Sequence, residues 1–380
     1  MSTAITKENI LITHGTKRIA MMLLAPNIGS RKDNEHICIS EEFPLYKYSN
    51  IGTLVIPESV DIPHDEWYSS FASHKQRGFV WNHPTECQKI QISHIENHSP
   101  HLAVEDGVIY SADRSRLIFC FQEKTSFVVP DSVTIIEPYA FCLQKKLKNI
   151  VLHDRITFIG RASFMACNSL SEIIIPKRIK HIASDTFDGC TSLCKVILPG
   201  SLESIGDCAF RQCKALNEIK LPDSIKSICS FEGCSALQKI EIPKGVEEIT
   251  GFMFCHSLRK VILHQGVKRI DNYAFRYCEN LKDINFPEGL EYIGARAFYP
   301  ASLGRIVFPT TLQEIGCEAF YHNHKLYSIK FKSHVKIIEQ AAFACCPFLF
   351  KIGITKPDDM IINENVFIQD TGLDKFGFWD

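Results

Sequence analysis

Leu193-Cys-Lys-Val-Ile-Leu-Pro199, then Leu202-Glu-Ser-Ile205, then Gly206-Asp-Cys-Ala-Phe210 with Cys213, is one unit of a pattern that fills most of this chain. Val196 and Leu198 alternate with Lys195 and Ile197, the period of a strand with one buried face. Pro199 ends that strand by removing an amide donor. Leu202 and Ile205 place apolar side chains three residues apart, which suits a second short strand. The Gly-x-x-Ala-Phe-x-x-Cys piece reads as a turn followed by one helical or 3₁₀ turn. In it Ala209 permits close approach and Phe210 plugs the coil.

Working outward, phenylalanine recurs as Phe141, Phe164, Phe187, Phe210, Phe231, Phe254, Phe275, Phe298, Phe320, Phe343 and Phe367, at intervals of 21 to 24 residues. A period of this size marks a stacked array whose single units cannot bury their apolar faces alone. Two ladders follow in matched phase. One is Ile173, Val196, Ile219, Ile240, Val261, Ile284, Ile306 and Ile329; the other is Ile182, Ile205, Ile228, Ile249, Ile270, Ile293, Ile315 and Ile338. They predict an α/β solenoid, right-handed, of coils of about 23 residues with one parallel β-sheet through the eight matched coils. Two trims interrupt the rhythm. Ile228-Cys-Ser-Phe231 is two residues short, and Phe254 reaches Leu258 after four residues instead of six.

Upstream, the stretch from His101 to Phe121 carries an antiparallel meander signal around Asp106-Gly107, a strong two-residue turn former. The organisation expected is therefore a divergent cap over residues 1–100, a meander insert over 101–124, and a repeat array with C-terminal cap over 125–380. The first part holds Leu54-Val-Ile-Pro57 with Val60, and the aromatics Trp67, Tyr68, Phe79 and Trp81. At the other end Leu373, Phe376, Phe378 and Trp379 are expected to cover the open coil, since a bare last coil invites end-to-end self-association.

The 42 basic and 43 acidic residues cancel to a net charge of -1, so no global field steers the chain toward nucleic acid or a charged membrane. No apolar run is long enough for a membrane span, and no membrane insertion is expected. The segment Ile19 to Pro26 is read as folded structure rather than an export signal, which makes the chain cytoplasmic by sequence. Of the 16 cysteines, Cys167, Cys190, Cys213, Cys234 and Cys278 share the position three after the marker phenylalanine. Parallel neighbours bridge poorly, so reduced, buried thiols are expected. Without a Cys-x-x-Cys pair, and with Pro100 interrupting His94, His98 and His101, no metal site is expected. Phosphate-binding loops and a Gly-x-Ser-x-Gly elbow are both missing, so the chain is read as no enzyme and as holding no cofactor.

The side chains flanking the buried isoleucine of each strand must face outward. They nominate a protein-binding face of Glu172, Lys195, Glu218 and Lys239 in one column and Ile174, Ile197, Lys220, Glu241 and Ile262 in the next. Opposite charges at lateral neighbours keep such a sheet soluble, each pair worth a few tenths of a kcal/mol. Ile174 and Ile197, two large aliphatics side by side between charges, form its contact centre.

The units Leu281-x-x-Ile-x-Phe-Pro287 with Leu290-x-x-Ile-Gly294 and Ala297-Phe298, and Leu303-x-x-Ile-x-Phe-Pro309 with Leu312-x-x-Ile-Gly316 and Ala319-Phe320, resemble the leucine-rich repeats of the BspA type. The resemblance spans about residues 101 to 373. It implies a binding or adhesion module of the surface-antigen kind, located at a cell surface, with a protein partner and no catalytic residues. The other reading is an intracellular scaffold with no dedicated ligand that associates weakly with itself.

Overall fold

The computed structural model describes residues 5–12, 37–39, 48–56, 58, 91–333, 335–353, 361–362 and 365–367. The chain divides into two compact units, Met1–Leu170 with Thr186–Gly189, and Ser171–Asp185 with Cys190–Asp380. The expectations placed on Ile19 to Pro26, Pro57, Val60, Trp67, Tyr68, Phe79, Trp81, Leu373, Phe376, Phe378 and Trp379 lie outside the described residues.

In the first unit Ile37–Ile39, Ile5–Ile12, Tyr48–Ile56 and Gln91–Asn97 pair in that order as a parallel sheet. Leu102–Glu105, Val108–Ser111 and Arg116–Cys120 then run antiparallel. Asp106 and Gly107, at φ 47° and 74°, both take the left-handed conformation that a tight two-residue hairpin demands. Arg116–Cys120 leads on in parallel to Ile135–Ile136 and that to Phe158–Ile159. A second parallel pair joins Ser126–Val128 to Asn149–Val151. The rings of Phe141, Phe164 and Phe187 stack through the core at 5.3 and 5.5 Å, nearly parallel.

In the second unit each coil contributes to two parallel ladders. The first contains Glu172–Ile174 with Lys195–Ile197, then Lys239–Glu241, Lys260–Ile262 and Asp283–Ile284, then Arg305–Phe308, Ser328–Phe331 and Lys351–Gly353. The second runs from His181–Ile182 through Ser204–Ile205 to Ser227–Ile228, and again from Glu248–Ile249 to Ile361–Ile362. One continuous sheet was expected in the first ladder, and the structure divides it instead. The segment around Ile219 carries no strand, although Ile219 itself stays buried. Of the two isoleucine ladders, the second is buried at every rung from Ile182 to Ile338, while in the first only Ile284 is half-buried.

The expected α/β solenoid is corrected to an all-β one: among the described residues there is no helix. The segment around Phe210 shows why. Cys208 and Gln212 adopt φ of 56° and 57°, so two residues per coil leave the helical region. Their amides reach the next coil instead of their own, Cys208 donating to the Cys229 carbonyl at 2.8 Å and Gln212 to that of Glu232 at 2.7 Å. Between them Phe210 donates to Ser230 at 3.1 Å. The segment is thus a third inter-coil ladder made of consecutive turns. Gly206 sits against the preceding coil, where an added Cβ would come within 2.7 Å of the Ser184 nitrogen. Gly316 meets Ala295 in the same way.

The marker assigned to Phe254 is also corrected. Phe252 is fully buried and stacks on Phe231 and Phe275, both at 5.5 Å, whereas Phe254 is half-buried and stacks on Tyr277 at 5.0 Å. Counted from Phe252, Leu258 follows at the usual six residues and Cys255 takes the regular cysteine position. The trim lies between Ile249 and Phe252, a repeat of the one between Ile228 and Phe231.

Cysteine at that position does more than fill space. Cys234, Cys255 and Cys278 donate their thiols to the carbonyls of Phe210, Phe231 and Phe252 at 3.1, 3.2 and 3.1 Å. Asn323 replaces the thiol in its coil, its Nδ2 donating to the Phe298 carbonyl at 2.9 Å. In these coils the side chain three residues after the phenylalanine therefore gives a carbonyl of the preceding coil a donor, for Phe231 a second one beside the Cys234 amide at 3.1 Å, whereas Ala301 at the same position after Phe298 has none to offer.

Candidate protein-binding face

The outward residues of the first ladder in the second unit make the candidate face. Glu172 lies opposite Lys195 in register, their side chains 3.3 Å apart, and Ile174 lies opposite Ile197. Ile174 and Ile197 are 59% and 44% exposed, large values for isoleucine in a sheet. Side-chain alternation accounts for this: Ile173 and Val196 are turned inward, so their neighbours must turn out. These four residues form one contiguous patch.

The other nominated residues are less unified. Lys239 and Glu241 are exposed and Ile262 is half-buried, all on the central sheet. Lys239 there faces Lys260, a like-charge pair relieved by Asp283, which Lys260 contacts at 2.5 Å. Glu218 and Lys220 are exposed on the strandless segment.

Sequence reasoning missed two pairs. Extending the aliphatic column backward by one period gives Val151 and by two gives Val128, which pair in the first unit and are 56% and 68% exposed. In the second unit Tyr327 and Phe350 stack at 6.1 Å and remain 43% and 57% exposed. The periodic phase that located Ile174 would have found the valines. The two rings stand at a position otherwise held by small or polar residues, where single substitutions carry no periodic signal.

Chemistry elsewhere is sparse. His98 contacts Glu96 at 2.9 Å, and among the described residues no group of three or more histidines, cysteines and acids is placed to hold a metal ion. No helix of the described residues is long and apolar enough to cross a membrane. Burial pushes the Cys346 thiol up to about 12, the opposite of what a reactive cysteine needs.

The repeat pattern matches the family described as BspA type Leucine rich repeat region, in 6 copies, over residues 115–230, 227–305 and 293–379. The chain belongs to this family. Among solved structures, a leucine-rich repeat protein from Bacteroides ovatus shares 24% identity and a TM-score of 0.58, covering 71% of this chain and 78% of its own. A leucine-rich cell surface protein from Faecalibacterium prausnitzii is 21% identical with a TM-score of 0.38, over 68% of this chain and 96% of that one. A leucine-rich repeat protein of T. pallidum is 27% identical with a TM-score of 0.37, over 50% and 84%. No curated protein matches. The Bacteroides likeness establishes the leucine-rich repeat fold, a scaffold of the kind that mediates protein–protein contacts.

Proposed function

We propose that this BspA-type chain is a non-enzymatic protein-binding module of the surface-antigen or adhesin kind. Its residues 125–380 form the repeat array, preceded by an insert at 101–124 and a cap at 1–100, and a partner protein meets it on the outward face of Glu172, Ile174, Lys195 and Ile197. The observation that carries this reading is the exposed Ile174–Ile197 pair, framed by the Glu172–Lys195 ion pair. An apolar centre ringed by charges is the anatomy of a binding hot spot. Glu218, Lys220, Lys239, Glu241 and Ile262 extend the footprint along the array.

The test is a pull-down from cell-surface and matrix extracts with the intact chain and with its Ile174→Ser/Ile197→Ser variant. Both substitutions act on exposed side chains, so circular dichroism should be unchanged. A saturable partner whose dissociation constant rises about ten-fold or more in the variant supports the face. An unchanged constant moves the interface elsewhere, and recovery of the chain itself alone favours the scaffold reading. Antibody labelling of intact against permeabilised cells decides the compartment.

A further inference from the structure

The outward columns of the second unit change character along the array. From Glu172 to Asp283 they hold four acids and four lysines. From Arg305 onward they hold Arg305, Lys330 and Lys351 and no acid. All three cations are exposed, and none makes an ion pair among the described residues. Lys332 nearby is different, since Glu288 holds it at 2.8 Å.

The floor between these cations is low. In register, Ser328 lies between Arg305 and Lys351, and Gly353 lies beside Lys330. Ser328 is buried, so Arg305 and Lys351 stand on either side of a hollow, two strand spacings or about 10 Å apart at the backbone. A groove of about 760 Å³ opens over them. Its flank is the stacked pair of Tyr327 and Phe350. Gly304 gives that pair its seat: a Cβ there would meet the Tyr327 ring at 3.2 Å.

We propose that this groove docks an extended acidic polypeptide segment, with carboxylates held by Arg305, Lys330 and Lys351 and an apolar or aromatic side chain laid on Tyr327 and Phe350. Charge complementarity fixes the sign of the partner, since three cations over a groove with no acid attract carboxylates and repel basic chains. The exposed rings select a polypeptide over a sulfated polysaccharide, because Tyr327 and Phe350 offer an aromatic face and the cations are separated rather than clustered. Arg305 offers the bidentate geometry that suits a carboxylate. This surface is distinct from the Ile174–Ile197 patch and stands or falls independently of it.

A degenerate short-peptide library is panned on the full chain at low salt, with a heparin oligosaccharide as a second probe. Enriched peptides should exceed the input in Asp and Glu and carry an aromatic residue. The best of them should bind Lys330→Glu/Lys351→Glu about ten-fold more weakly by fluorescence anisotropy. Tyr327→Ala/Phe350→Ala should weaken it as well, giving a second readout if charge reversal disturbs the fold. Lys195→Ala and Ile174→Ser/Ile197→Ser should leave binding intact. Absence of acidic enrichment, equal affinity for the charge-reversed chain, or retention of heparin without acidic peptides would each overturn the proposal. Loss of peptide binding in the Ile174→Ser/Ile197→Ser variant would place the peptide on the other face and overturn it too.

Discussion

Phe252 and Phe254 stand two residues apart, yet only the first sits inside the coil, and they form a matched test of the core. Phe252→Ala opens a cavity between two stacked rings and should cost about 3 to 5 kcal/mol. Phe254→Ala removes a half-exposed ring and its stack on Tyr277, which is worth about 0.5 to 1.5 kcal/mol. Urea midpoints measure both, and equal shifts would return the marker to Phe254. The same logic makes Phe210→Ala costly and holds Lys220→Ala, on the exposed face, within about 0.5 kcal/mol. The cysteine position permits a sharper test, because hydrophobicity and hydrogen bonding predict opposite orders there. Cys255 caps the Phe231 carbonyl at 3.2 Å, and Asn323 does the equivalent for Phe298. Cys255→Val is the more apolar change but removes one of two donors to a buried carbonyl, which keeps only the Cys234 amide at 3.1 Å, at about 0.5 to 1.5 kcal/mol. Cys255→Asn keeps a donor and should melt higher than the valine variant. The reverse order would reduce the position to simple packing.

The strand ladders were legible because a period shared by eight coils averages out each local ambiguity, and the inward isoleucines emerge from phase alone. The third ladder was not. Its left-handed residues are Ala162, Cys208, Tyr273, Glu318 and Ala341 among others, side chains with no preference for that conformation, so nothing local distinguishes the segment from a helical turn. What selects the turn is the next coil's carbonyl, a partner visible only after stacking. Phe252 was misread for a related reason: two phenylalanines compete for one slot, and only Cys255, three residues on, settles which is in phase. The binding candidates divided along the same line, with the paired Ile174 and Ile197 read from alternation and the Tyr327–Phe350 groove left unseen. The turn ladder predicts an unusual rank order at Ala341, which is half-buried at φ 55°. Glycine there relieves left-handed strain and should stabilise by up to about 1 kcal/mol, while valine should destabilise by about 1 to 3. A helix would rank alanine first and glycine last. Thermal melts of the three forms give the answer, and the helical order would overturn the all-β assignment of this segment.

Across the whole molecule, the buried and half-buried thiols that line the array set a limit on alkaline stability. Desolvation leads in each case. It raises Cys229 from 9.0 to about 11, with Asp207 adding to the effect, and Cys346 from 9.0 to about 12. Cys234 and Cys278 are pushed up in the same direction by burial and then by Cys255. Tyr110, on the meander, rises from 10.0 to about 12 for the same first reason. A folded-state value above the unfolded one means that the native protein holds its proton longer as pH rises. The native state therefore binds more protons than the unfolded state through that interval, and stability falls with increasing pH. The contribution is complete below about pH 9, begins to fall there, and is lost as pH passes the folded values of about 11 to 12. Urea midpoints taken under reducing conditions should be level up to pH 9 and then decline steadily toward 11. Cys229→Ser removes one contributor, since a serine hydroxyl does not ionise in this range, and should make the decline shallower while leaving the lower plateau flat. A midpoint that stays level between pH 9 and 11, or a decline as steep in Cys229→Ser as in the parent chain, would mean that these thiols reach water more readily than their burial implies.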